Sequence, residues 1–273
     1  MTDLPVNVDS LPAQLGATIR VDGDDLLLEV EPRPALLHHG MIRASVLAYL
    51  IDCAGGIPLD RDPDAWTLTT DLTVKALPLS APERVTAQFR VLRAGRRSAT
   101  GIVDLHSQAG IPVATGAIGF TRVPVSPGDP PKPYLSAMDI VDRFASLPAV
   151  EVPLREAAGI EIIDATAGVV EVPLTSALLN PAGTVQGAMA ALIAEAAAED
   201  VLTHRAGQDM VVTDLDIRYL DRTSAGPLRT STEVLGDGPD ASVTVELSDC
   251  SSGKITTLFH ARGVPASKVG DRI

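Results

Sequence analysis

Residues 187–202 read GAMAALIAEAAAEDVL, a run that is apolar on nearly every side if it forms a helix. Its alanine and leucine content favours a helix, and helices that are apolar all round are usually buried. An acidic residue, Glu195, lies inside this run. Carboxylates avoid full burial unless they are paired or functional, so Glu195 is a candidate functional residue.

The same pattern occurs 143 residues earlier, where residues 44–56 read ASVLAYLIDCAGG and contain Asp52. A gapless shift by 143 residues superimposes further matches, which include Asp52 with Glu195, Gly40 with Gly183, and the TDL of residues 70–72 with the TDL of residues 213–215. Solenoid units run at roughly 20–50 residues, so a repeat this long is a whole domain. The sequence therefore predicts two similar folds in one chain that pack as an internal pseudo-dimer.

Each half is predicted to hold one long helix followed by antiparallel strands. Gly and Asp turns separate the β-rich segments, as antiparallel hairpins require. These segments span residues 66–77, 84–92, 98–107 and 111–121 in the first half, and 211–220, 228–235, 242–248 and 254–262 in the second. A further strand pair precedes each helix, at residues 17–30 and 159–172. The predicted fold class is α+β, with an antiparallel sheet around a long helix in each half.

The boundary between the halves falls in PVSPGDPPKPY, residues 124–134, whose proline content predicts a semi-rigid linker. We place an N-terminal domain at residues 1–123 and a C-terminal domain at residues 135–273, which opens with a short helix over residues 135–147. A chain of 273 residues is long enough for two domains, each with its own core.

Composition excludes several classes of partner. The formal charge of −13 argues against nucleic acid or an anionic membrane surface as the main partner. No apolar run approaches the roughly 20 residues that span a bilayer, and the N-terminus does not resemble a signal peptide, so we expect a cytoplasmic protein. Cys53 and Cys250 do not correspond under the repeat, and they suggest neither a disulfide nor a zinc site.

Residues 180–198, NPAGTVQGAMAALIAEAAA, and the VVTDLDIRYL that follows carry a family pattern. They resemble hotdog-fold acyl-CoA thioesterases of the phenylacetate-degradation type. These enzymes have an Asn, a glycine-containing turn, a His-Gly or Gln-Gly pair that opens the central helix, and an acid eight residues later. Four residues match in type and spacing, namely Asn180, Gln186, Gly187 and Glu195. The resemblance implies two tandem hotdog domains, each an antiparallel β-sheet wrapped around a long central helix, packed as an intramolecular pseudo-dimer.

The first half departs from the family pattern. Leu37, Arg43 and Ala44 stand where the Asn, the Gln or His, and the Gly are expected, although the spacing to Asp52 is kept. The pair His39-Gly40 looks like the family's His-Gly, but the repeat aligns it with the turn before the helix.

In this family the fold works as a dimer, in which one subunit offers its helix N-terminus to the thioester and the other supplies an acid and a hydroxyl. The resemblance therefore implies one composite catalytic site, made of Asn180, Gln186 and Gly187 with Asp52 and Thr69. The mirror combination, Leu37, Arg43 and Ala44 with Glu195 and Val212, lacks the Asn, the Gly and the hydroxyl. We expect Glu195 to lie in this degenerate site.

The proposed roles follow from charge. Attack on a thioester places negative charge on its carbonyl oxygen, which a backbone N–H at a helix N-terminus stabilises. Gly187 suits this role because the absence of a Cβ allows close approach. Asp52 acts as a general base or as a nucleophile, and Asn180 or Thr69 positions the attacking water. The competing interpretation is that these residues only cap, pair or pack.

Candidate substrate contacts lie outside this set. Arg93, Arg96 and Arg97, in VLRAGRRSA, are candidates for the CoA phosphates, although a solvated turn is the competing interpretation. His39 is a candidate contact beside the degenerate site.

Two other functions remain as alternatives. One is a non-catalytic acyl-CoA-binding module, and the other is a hotdog hydratase or dehydratase, which needs a catalytic His near the helix start. No Gly-x-Ser-x-Gly elbow, Rossmann, Walker or zinc pattern occurs. We therefore expect no metal or separate cofactor, with coenzyme A entering as part of an acyl-CoA substrate. Many hotdog proteins associate further, so a homodimer of the whole chain is also an expected assembly.

Overall fold

A computed structural model describes residues 10–22, 25–60, 62–127, 132, 148–180, 182–223 and 225–270. Antiparallel strands and a few helices make up this part of the chain, which confirms the α+β prediction. The helices are α1 (Ala44–Leu59), α2 (Leu154–Ala157) and α3 (Gly187–Ala206). The predicted helix over residues 135–147 and much of the predicted linker lie outside the described residues.

Apart from a pair of two-residue strands just ahead of α1, which the sequence did not predict, the strands agree with the predicted segments to within three residues at each end. In chain order they are β1 (Ala17–Asp22), β2 (Asp25–Val30), β3 (Leu37–His38), β4 (Met41–Ile42), β5 (Ala65–Ala76), β6 (Val85–Ala94), β7 (Ser98–Ser107), β8 (Pro112–Pro124), β9 (Glu161–Asp164), β10 (Val169–Val172), β11 (Met210–Tyr219), β12 (Leu228–Leu235), β13 (Ser242–Asp249) and β14 (Lys254–Pro265). The largest differences are at β8 and β14, which each continue three residues further because they pair with the long central strands β5 and β11.

Twelve strands of the described chain form a single antiparallel sheet in the order β1-β2-β6-β7-β8-β5-β11-β14-β13-β12-β10-β9. The second half, read from its own edge, has the order β9-β10-β12-β13-β14-β11, which repeats the order of the first half. The halves join at β5 and β11, where Lys75 lies opposite Asp214 and Asp71 lies opposite Arg218. The 143-residue repeat in sequence is thus a repeat in topology.

The two long helices form the centre of the core. α1 packs on strands of the first half, α3 packs on strands of the second, and the helices contact each other. α3 ends at Gly207, whose φ of 63° lies in the left-handed region that commonly terminates helices. α1 continues three residues beyond the prediction, and Pro58 lies in its last turn. No helix in the described ranges combines the length and hydropathy needed to cross a bilayer.

A tight turn precedes each long helix at the same place in the repeat. Gly40 and Gly183 both adopt positive φ, at 79° and 74°. β3 and β4 flank the first turn, and a bridge between Leu179 and Val185 closes the second. This match confirms the gapless alignment, and it places His39-Gly40 in the turn rather than at the helix start.

Candidate active site

The start of each long helix lies beside the middle of the other helix. Gln186, the residue before α3, donates a hydrogen bond to Asp52 in the middle of α1. Ala44, the first residue of α1, donates one to Glu195 in the middle of α3. The two helices therefore run antiparallel, and one acidic side chain faces each helix start.

At the start of α3, three polar side chains from both halves converge. Thr69 on β5 donates from Oγ1 to Asp52 Oδ1 at 2.5 Å, and Gln186 Nε2 donates to Asp52 Oδ2 at 3.0 Å. The other end of the Gln186 amide caps α3, because its Oε1 accepts from the Ala188 N–H at 2.6 Å. Asp52 is thus held at the helix start through Gln186, and it is partly buried there.

The surroundings of Asp52 favour its neutral form. Burial raises the pKa of the Asp52 carboxyl, and the hydrogen bond from Thr69 acts in the opposite direction by stabilising the charged form. A carboxylate with a raised pKa is a stronger base than a solvated one. This arrangement is therefore suited to accepting a proton.

Gly187 is the first residue of α3, so its N–H has no acceptor within the helix. A Cβ at this position would lie 2.6 Å from the hydroxyl oxygen of Tyr219 and 2.9 Å from its Cζ, which is closer than side chains tolerate. Glycine is therefore required here by the approach of the Tyr219 ring. Tyr219 was not identified from the sequence, although the repeat pairs it with Ala76 and pairs Gly187 with Ala44, an asymmetry that was visible in the sequence.

Asn180 shapes the turn ahead of α3. Its Oδ1 accepts from the N–H groups of Ala182 and Thr184, and its Nδ2 donates to Thr184 Oγ1. Both the oxygen and the nitrogen of the Asn180 amide are therefore bonded within this turn, which precedes Gln186 in the chain. The structure brings Asp52, Thr69, Gln186 and Gly187 together and leaves Asn180 beside them as a support for the turn.

The start of α1 is filled by Glu195. Its Oε1 accepts from the Ala44 N–H at 2.7 Å, and its Oε2 accepts from the Ser45 N–H at 3.3 Å and from Ser45 Oγ at 2.5 Å. A carboxylate at this position also interacts favourably with the helix dipole. Glu195 is one methylene longer than Asp52, so it reaches the backbone of the opposite helix directly.

A buried ion-pair network surrounds Glu195. Arg43 Nη1 lies 2.9 Å from Glu199 Oε2 and 3.8 Å from Glu195 Oε2, and the three side chains are no more than 5% exposed. Burial raises the pKa of both glutamates, while Arg43 lowers it. Burial and the Arg43 charge lower the pKa of His38 to about 4, so His38 is neutral at pH 7. The buried charges at this end of the helix pair therefore interact mainly with one another.

From the sequence, Arg43 was recognised only as a replacement for the family's Gln or His, and Glu199 was not identified. Glu199 could have been found from the sequence, because it lies one helical turn after Glu195 and so shares its face.

The remaining predicted residues lie away from Asp52. His39 Nε2 is 3.9 Å from Asp209 Oδ2, and its ring packs edge-on against His38 at the α1 end of the helix pair. Arg93, Arg96 and Arg97 are exposed at the β6–β7 hairpin, and none forms an ion pair within the described chain. Thr69 on β5 pairs with Phe120 on β8, and Phe120 pairs with Ala99 on β7. The β6–β7 hairpin therefore lies at the same end of the sheet as Thr69, two to three strands away, which is roughly 10–14 Å.

Comparison with known proteins shows similarity at the level of the fold. No protein-family model matches the chain, and no curated protein matches its sequence. The tesB protein of Mycobacterium avium subspecies paratuberculosis aligns with a TM-score of 0.62 and 11% identity, over 93% of this chain and 98% of that one. An acyl-ACP thioesterase from Bacteroides thetaiotaomicron aligns with a TM-score of 0.57 and 14% identity, over 87% and 96% of the two chains. The chain thus shares the overall fold of these proteins along nearly its whole length.

Proposed function

We propose that this protein is a tandem hotdog thioesterase that hydrolyses an acyl-CoA to a free acid and coenzyme A at one composite site. The two hotdog domains correspond to residues 1–123 and 135–273. One observation carries the proposal: Asp52 of the first half is hydrogen-bonded to Thr69 and Gln186 at the start of the second half's helix. The shared fold with solved thioesterases supports it, as does the resemblance of residues 180–198 to acyl-CoA thioesterases.

In the proposed reaction Asp52 acts as the general base. It removes a proton from a water molecule whose oxygen attacks the thioester carbonyl carbon, and the carbonyl oxygen becomes negatively charged. The Gly187 N–H and the dipole of α3 stabilise that charge. The tetrahedral intermediate then collapses, the carbon–sulfur bond breaks, and the thiolate of coenzyme A leaves and takes up a proton.

The charges around the site favour coenzyme A as the carrier. The protein is strongly acidic, so its overall field repels coenzyme A and an acidic carrier protein alike, and the preference rests on local charge. Arg93, Arg96 and Arg97 form a local basic cluster at the Thr69 end of the sheet, and arginine forks match phosphate oxygens well. We propose that this cluster binds the phosphates of coenzyme A.

The function is tested by measuring thiol release from short, long, linear and aromatic acyl-CoAs, with the matching acyl-pantetheines and acyl carrier proteins beside them. We expect turnover of at least one acyl-CoA, with a lower KM than for the pantetheine that lacks the nucleotide phosphates. Arg96→Ser/Arg97→Ser should raise KM for the acyl-CoA and leave KM for the pantetheine unchanged. Hydrolysis confined to carrier-protein thioesters would overturn the choice of carrier. Tight acyl-CoA binding without any hydrolysis would instead indicate a binding module.

The pH dependence of hydrolysis is expected to report the raised pKa of Asp52. A base must be deprotonated, so kcat/KM should rise with pH through a midpoint above the ordinary aspartate value of about 3.9. Because the Thr69 hydroxyl stabilises the charged carboxylate, Thr69→Val should move that midpoint to higher pH. Both profiles can be recorded by thiol release, and a native profile that is flat down to about pH 4 would contradict this role for Asp52.

A further inference from the structure

Tyr219, the last residue of β11, places its phenol against the start of α3. The ring comes so close to Gly187 that a Cβ there would lie 2.6 Å from the phenol oxygen. The hydroxyl therefore lies beside the one N–H of this helix start that neither the helix nor Gln186 engages. Ala188, the next residue, already donates its N–H to Gln186.

The Tyr219 hydroxyl is buried and has no hydrogen-bond partner among the described residues. Leaving a hydroxyl unpaired inside a protein is unfavourable, and phenylalanine would fill the same space without that cost. Burial and the nearby negative charge of Asp52 raise the pKa of Tyr219, so the phenol stays protonated and can donate at neutral pH. An unpaired buried donor in a native protein needs an explanation.

The internal repeat supplies a comparison within the chain. The positions that match Gly187 and Tyr219 are Ala44 and Ala76, so the α1 end has neither the glycine nor the phenol. At that end the first helical N–H is already bonded to Glu195. The glycine and the tyrosine therefore occur together, and only at the helix start that no carboxylate fills.

We propose that the Tyr219 hydroxyl donates a hydrogen bond to the substrate's thioester carbonyl oxygen and forms the oxyanion site together with the Gly187 N–H. This inference rests on the proposed thioester hydrolysis and adds a second donor to it. Two adjacent donors aimed at one oxygen stabilise the developing charge more than one does. Since the phenol also fixes the need for glycine at position 187, the two residues act as a unit.

The variant Tyr219→Phe tests the proposal because it removes the hydroxyl and keeps the ring. We expect kcat on the best acyl-CoA to fall by about 10²-fold, which is the typical loss for one oxyanion donor. The melting temperature should stay the same or rise, because an unpaired buried hydroxyl has been removed. A ketone analogue of the acyl-CoA should bind more weakly to the variant, whereas a thioether analogue without the carbonyl should bind as it does to the native protein.

Tyr49→Phe is the matched control, since Tyr49 is a second buried phenol and its hydroxyl is bonded to Cys53. Here we expect a lower melting temperature, because a hydrogen bond is lost, and little change in kcat. If Tyr219→Phe instead keeps full kcat, whether or not its melting temperature falls, the inference is wrong. If that happens while Asp52→Asn still lowers kcat strongly, the proposed function stands without this residue. If the native protein hydrolyses no thioester, both are wrong.

Discussion

Asparagine in place of Asp52 is expected to lower kcat for acyl-CoA hydrolysis by about 10²–10⁴-fold, the usual contribution of a general base. Asparagine keeps the size of the side chain and one oxygen that accepts a hydrogen bond, but it cannot take a proton from water. Folding should be affected little, because the Thr69 hydroxyl can turn to accept from the asparagine amide while Gln186 still donates to the asparagine oxygen. Thiol release and thermal unfolding of the purified variant measure both effects.

Glu195→Gln is the matched control, since it makes the same carboxylate-to-amide change at the equivalent position of the repeat. Glu195 caps α1, so an amide there should leave one of the Ala44 and Ser45 donors poorly paired and lower the stability. Turnover per folded molecule should be largely kept. The reverse pattern, with hydrolysis lost in Glu195→Gln and kept in Asp52→Asn, would mean that the catalytic end has been assigned to the wrong helix.

Methionine in place of Arg43 is expected to lower the free energy of unfolding by about 3–5 kcal/mol, because it leaves buried carboxylates without their cation. Arg43 lies 2.9 Å from Glu199 and 3.8 Å from Glu195, and all three are buried. The surface variant Arg229→Met is the control. Arg229 pairs with Glu171 but its side chain is 51% exposed, so the expected loss is only about 0–1 kcal/mol. Urea unfolding at pH 7 compares the two variants.

The loss in Arg43→Met should shrink as the pH is lowered. Without Arg43 the folded-state pKa values of Glu195 and Glu199 rise further above their unfolded values. For acids with a raised pKa, stability is fully present below the unfolded pKa and falls as the pH rises through the folded pKa. Unfolding curves at pH 7 and near pH 5 measure this difference. Equal losses in Arg43→Met and Arg229→Met at pH 7 would show that the cluster contributes no more than a surface ion pair.

Much of the fold could be predicted from the sequence because the repeat shows the same pattern of helix and strands twice. The apolar run around Glu195 and its copy around Asp52 identified both long helices, and β-rich segments between Gly and Asp turns located the strands. The pairing of β5 with β11 could not be predicted, since both strands read as ordinary half-buried segments and long-range pairing leaves no local signal.

The residues of the candidate site could be predicted from the sequence better than their contacts could. The family resemblance implied that Asp52, Gln186 and Gly187 meet at one helix start, but it could not show that Gln186 would bridge Asp52 and the cap of α3. Asn180 matched the family pattern by type, yet its amide groups are engaged in the turn. Tyr219 was overlooked because an aromatic residue on a strand is most often part of a core.

The central claim is that one thioester binds per chain at the start of α3, between groups from the two halves. A crystal structure with an acyl-CoA analogue whose thioester sulfur is replaced by a methylene tests it most directly. We expect one analogue per chain, with its carbonyl oxygen within hydrogen-bond distance of the Gly187 N–H and its carbonyl carbon facing Asp52. A carbonyl at the Ala44 end beside Glu195, or an analogue bound away from both helix starts, would contradict the claim.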